Sequence, residues 1–110
     1  MERYKLIIQM EDLEDEEVYV DITPHARKRM GKRNIDNNAI YGSILSLGEK
    51  LLEMKNNEEF VIIDKFLDEA VVFGIGIEDF DIVVSVITVL PTANVHAKVG
   101  QKIIDIDNLL

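Results

Sequence analysis

The 110-residue chain has no cysteine, which excludes a disulfide framework and a thiolate-held zinc. It has no apolar run near the ~20 residues that a membrane-spanning helix needs. Met1-Glu2-Arg3-Tyr4-Lys5 leads into a short apolar stretch without a small-residue cleavage pattern, so a cytoplasmic location is expected, the host cytosol if the chain is phage-encoded. No serine-histidine-acid order, phosphate loop or HExxH pattern is present. Gly74-x-Gly76 lacks the third glycine and following helix of a dinucleotide fingerprint. No cofactor and no metal site is expected. Basic charge is also scarce, with 12 lysines and arginines against 21 acidic side chains, a net charge of −9. Five of the 12 lie between Arg27 and Arg33, which leaves seven against 21, a net of −14, elsewhere. Nucleic-acid binders show the reverse balance because affinity rests on neutralising phosphates. The expected partner is therefore a basic protein or ribonucleoprotein surface, with neither direct nucleic-acid binding nor a membrane.

What is present reads as one domain, 1–110, of α+β class. A chain of this length buries roughly 60–70% of its unfolded surface, enough for one core. Tyr4 to Met10 and Val18 to Ile22 are rich in β-branched and aromatic residues and predict an N-terminal β-hairpin. Between them, Glu11, Asp12, Glu14, Asp15, Glu16 and Glu17 form an acidic loop that reads as solvated or as a docking patch for a basic partner. Thr23 suits a helix N-cap and Pro24 the first helical position, for a helix to about Arg33. Asp36 caps a second short helix, about 37–47, with Ala39, Ile40, Ile44 and Leu47 at helical spacing and Gly48 as its stop.

An antiparallel β-meander follows. Lys50 to Met54 predicts a strand or an extension of the second helix, and Asn56-Asn57 a turn. Phe60 to Asp64 and Ala70 to Ile77 are strands. Ile82 to Leu90 is apolar on both faces and predicts a central strand covered on each side. Lys102 to Ile106 predicts an edge strand; 91–110 suggests no role. Alternation puts Val71, Phe73, Ile75 and Ile77 on the core face and leaves Gly74 and Gly76 as a bare strip for close approach of a helix, ligand or partner. Glu78, Asp79 and Asp81 read as a solvated turn, without the ligand spacing of a calcium loop.

At about 100° per residue, His25, Arg29 and Arg33 form one stripe beside the apolar Ala26 and Met30. Such a stripe suits phosphate or carboxylate recognition; equally, Arg29 and Arg33 suit pairing with nearby carboxylates. The pattern His25-Ala26-x-x-Arg29-Met30-x-x-Arg33-x-Ile35 resembles the motif of a family of small bacterial and phage domains of unknown function, grouped with the RelE-like ribonuclease toxins. The resemblance covers about 22–90. It implies two helices packed on an antiparallel sheet, and a metal-independent ribonuclease whose arginines hold a phosphate while His25 moves a proton. The acidic charge departs from the basic character of such nucleases. The sequence thus supports a non-catalytic protein-binding domain on a RelE-like scaffold, with a phage or mobile-element inhibitor as the expected setting and the endoribonuclease as its alternative. A homodimer through edge strands fits the same architecture.

Overall fold

The computed structural model describes residues 3–10, 14–64, 68–92, 95 and 101–105. Alternation in Arg3–Ile8 (β1) turns Leu6 and Ile8 inward, and in Glu16–Ile22 (β2) it turns Val18, Val20 and Ile22 inward. The two strands pair antiparallel as the expected hairpin. Pro24–Lys32 (α1) starts where Thr23 Oγ1 accepts from the Ala26 amide at 3.2 Å. The same hydroxyl donates to the Val86 carbonyl at 2.8 Å, so one side chain both caps the helix and ties it to the sheet. Ala26 and Met30, four residues apart, are the buried residues of α1. Asn37–Leu45 (α2) is capped by Asp36, which accepts from the Ala39 amide at 2.9 Å, and it buries Ile40 and Ile44. Tyr41 of α2 stacks on Tyr4 of β1 with ring centroids 4.1 Å apart.

Gly48–Glu53 is a 3-10 helix, so of the two expectations for Lys50 to Met54, a strand or a helical extension past Gly48, the helical one fits. Gly48 takes a positive φ of 55° and breaks α2 from it. Leu47, Leu51 and Met54 recur every three to four residues, and all three are buried. Strand alternation would set Leu51 and Met54 on opposite faces, so burial of both selects the helical turn.

Glu59–Asp64 (β3), Glu69–Glu78 (β4) and Asp81–Leu90 (β5) form the expected antiparallel meander. Gln101–Asp105 (β6) pairs parallel to β3 at an edge. The sheet order is β1-β2-β5-β4-β3-β6. What joins the hairpin to the meander is a parallel pairing of β2 with β5, which no local pattern announced. The sheet is therefore mixed rather than wholly antiparallel. β5 sits centrally, with α1 against one face. On that face Phe73, Val84, Val86, Ile40, Ile44 and Leu51 are fully buried. A smaller cluster of Val61, Ala70 and Val72 lies on the other face, with Ile63, Ile87, Leu90 and Val95 against it.

Ile87 has no register partner, because Val72 faces Thr88 and Phe73 faces Val86. This bulge shifts the inward parity of β5, so that both Val86 and Val89 reach the main core. Ile77 departs from expectation. It follows Val71, Phe73 and Ile75 in alternation, yet it is exposed, because it lies beyond the end of the helix layer.

Candidate functional site

The basic helix is built by its cap and by two apolar contacts, so its cations project from its outer side. His25 and Arg29 are exposed. Arg33, the C-cap, is half-buried and engaged. Its Nε donates to Glu69 Oε2 at 2.9 Å and its Nη2 to Glu69 Oε1 at 2.8 Å, a bidentate fork. Nη2 also donates to the Asp68 carbonyl at 3.2 Å. The Glu69 hydrogen bond, more than the opposing burial, raises the Arg33 pKa above the usual guanidinium value. The stripe foreseen on α1 thus divides: His25 and Arg29 face solvent, while Arg33 locks the helix to the start of β4.

Next to this ion pair lies a pocket of about 270 Å3 between the α1–α2 junction and the sheet. Its floor is apolar, from Ile40, Ile62, Val71 and Val89, and Arg33 and Glu69 stand together in its wall. Neither His25 nor Arg29 lines it. His25 is therefore not set beside Arg33; the titratable groups that line this pocket with it are Asp36, Asp64 and Glu69.

On the face of the sheet away from the helices, the β1–β2 part is polar. Arg3 grips Asp21 through Nε and Nη2 at 2.9 and 2.8 Å, and Asp21 is the one buried charged residue among those described. Arg3 Nη2 also meets Glu78 Oε2 at 3.0 Å, although β2 and β5 separate their strands. Strands spaced about 4.8 Å apart would hold β1 and β4 ~14 Å apart in a flat sheet. The two long side chains reach across β2 and β5 to close the pair. Hydrogen bonding to Asp21 raises the Arg3 pKa. The charge of Glu17 raises that of Tyr19, whose hydroxyl donates to Glu17 at 3.3 Å.

Gly74 and Gly76 lie on this face. An added Cβ at Gly74 would come no nearer than 3.6 Å to Ile87 Cδ1, and one at Gly76 no nearer than 3.8 Å to the Val83 carbonyl oxygen. Both distances are ordinary contacts, so nothing within the described chain presses on the glycine strip. It borders a shallow hollow of about 320 Å3 with Asn57, Glu59 and Ser85.

The parallel β2·β5 pairing has its main consequence at one end of the sheet. Val18 faces Ile82, so Glu17 comes beside Asp81. The described part of the acidic loop, Glu14 to Glu17, is thereby brought to the β4–β5 turn with Glu78 and Asp79; Glu11 and Asp12 lie outside the described residues. All seven of these carboxylates are exposed. Lys5 pairs with Glu17 at 3.4 Å and Arg3 with Glu78. Among the described residues, Glu14, Asp15, Glu16, Asp79 and Asp81 make no ion pair. No group of three or more His, Cys, Asp or Glu among the described residues is placed to hold a metal ion. No helix among them is long and apolar enough to cross a membrane.

No family model, no curated protein and no solved structure matches the chain.

Sequence reasoning missed three residues here. Asp21 carried a legible mark, an acid inside an alternating strand with Arg3 placed to meet it across a hairpin. Glu69 carried none, because its meeting with Arg33 depends on how α1 crosses the sheet. Phe80 sits within the turn of Glu78, Asp79 and Asp81, where the acidic neighbours outweigh a single aromatic residue in the local pattern.

Proposed function

We propose that this chain is a non-catalytic protein-binding domain on a RelE-like scaffold, which docks its acidic sheet end on a basic protein or ribonucleoprotein surface. A phage or mobile-element inhibitor is the setting that such a surface suits. The observation that carries this reading is the gathering of seven exposed carboxylates, five of them without an ion pair, from two segments more than 60 residues apart. Like charges concentrated this way repel one another and are relieved by a basic partner, which they also attract at long range. RNA is repelled by the same field. The engagement of Arg33 by Glu69 weighs against the ribonuclease reading, since an arginine already forked on a carboxylate is not free to clamp a phosphate.

The test is affinity capture from the native host with protein and RNA both read out. A basic partner is expected, and it should be lost when Glu14, Glu16 and Glu17 are all changed to Lys. Capture that survives this reversal removes the acidic end from the account. RNA cleavage by the purified protein at low salt, abolished by His25→Ala, would establish the enzyme instead. Among the described residues β1 and β6 are the outer strands, and their edges offer strand pairing to a second copy or a partner as a subsidiary contact.

A further inference from the structure

The β4–β5 hairpin closes through two residues, Asp79 and Phe80, with φ of 49° and 72°. Positive φ at both central positions is the mark of a type I′ turn, which favours Asn-Gly or Asp-Gly. Asp tolerates the left-handed region; a bulky aromatic residue is strained there. Phe80 is also 100% exposed, so its ring has no packing within the chain to offset either the strain or its hydration. Ile77, 45% exposed, lies on the helix face at this end, whereas Ile7, 53% exposed, lies on the other face, across from Glu17. The tip itself is flanked by Glu78, Asp79 and Asp81, with Glu17 alongside Asp81. The hairpin is paired as far as Glu78 and Asp81, directly beneath the tip. The ring is thus presented on a stiff support, and little ordering is left to be done on binding.

We propose that Phe80 is the apolar anchor of a docking surface, seating in an apolar cleft with a basic rim on a protein partner. This rests on the binding reading above and names the contact within it. Aromatic side chains in an enclosing polar ring are the usual dominant contacts of such interfaces. A lipid surface fits poorly, because anionic headgroups would repel the carboxylates that flank the ring. The basic face of α1 on a second copy is the remaining occupant, and the test separates it.

The probe is a helical peptide of leucines and lysines with one leucine face, which presents an apolar strip between two cationic borders. Amide chemical shifts of the isotope-labelled full chain are followed on titration. The expected result is that the largest shifts centre on 77–81. Phe80→Gly is expected to weaken binding about 30-fold, the scale of a strong aromatic anchor, while it raises the melting temperature by relieving the strained turn. Phe80→Trp should retain affinity. This opposite movement of affinity and stability is what a merely structural phenylalanine would not show. If Phe80→Gly binds like the wild type while the Glu14, Glu16 and Glu17 reversal abolishes binding, the acidic surface stands and the anchor falls. If both variants bind unchanged, the two readings fall together. A wild-type chain that ignores the peptide, or that self-associates in a Phe80-dependent way, also overturns the proposal.

Discussion

The basic helix and the acidic sheet end are two charged regions of opposite sign, assembled in opposite ways. α1 gathers its cations locally, five between positions 27 and 33. The sheet end gathers its carboxylates from the β1–β2 and β4–β5 turns, which only the parallel β2·β5 pairing makes neighbours. The local cluster looks the more functional in one dimension, yet its best-placed member is engaged in the fold. The distributed cluster looks like two solvated turns, yet among the described residues it keeps five carboxylates without ion pairs, at the end of the sheet that also carries an exposed aromatic ring. Charge density along a chain says little about which charges remain available. Tertiary neighbours decide that, because a partly desolvated pair is consumed in holding two elements together.

The largest expected effect comes from breaking the helix away from the sheet. Met30 is 3% exposed and, with Ala26, holds α1 on the core. Met30→Ala should cost about 2–5 kcal/mol, read as a lower midpoint in urea denaturation. Loss below 1 kcal/mol would mean that the α1 contact is dispensable. A smaller effect sharpens the contrast within the helix. Arg33→Ala strands the half-buried Glu69 carboxylate and should cost about 1–3 kcal/mol, whereas Arg29→Ala should change stability by less than about 0.5 kcal/mol. Equal effects by thermal melts would undo the division of the stripe.

The smallest effect is pH-dependent. Asp68 is held below the usual carboxylate value of 3.8, first by the Thr92 hydroxyl and then by the Thr92 amide. Glu58 is held below 4.5, first by the Lys55 amide at 2.9 Å and then, against its own burial, by Lys102. In both cases the folded state binds its proton less readily than the unfolded chain. Their contribution is therefore complete above pH 4.5 and is lost as the pH falls through 4.5 and 3.8 toward the lower folded values. Melting temperatures from pH 6 to pH 3 should show the loss, and Thr92→Val, which deletes the hydroxyl but keeps the amide, should reduce the Asp68 part of it. A Thr92→Val profile that parallels the wild type would rule out this role for Thr92.

Much of the fold was legible because its determinants are local. Thr23 and Asp36 each hold an amide three residues on, and a cap needs only its own helix start. The hairpin and meander followed from strand alternation broken by turn residues. Lys50 to Met54 was the element left open between strand and helix. Its apolar spacing fits a strand or a helical turn in so short a stretch, and only the position of the core chooses between them. The α1 side of the candidate site was half legible. The stripe of His25, Arg29 and Arg33 could be placed from periodicity, but the removal of Arg33 by a residue 36 positions away could not.

By itself, then, the sequence determined the class of the fold, both helix starts, the central place of β5 and the electrical polarity of the molecule. These follow from hydrophobic period, capping chemistry and composition, which act over a few residues or over the whole count. The tertiary structure alone decided which turns became neighbours, which arginine closed on which carboxylate, and that Phe80 stands fully exposed among acids. Those outcomes depend on strand order and register, and pairing a strand with one partner rather than another leaves local propensities unchanged while it moves every side chain's surroundings.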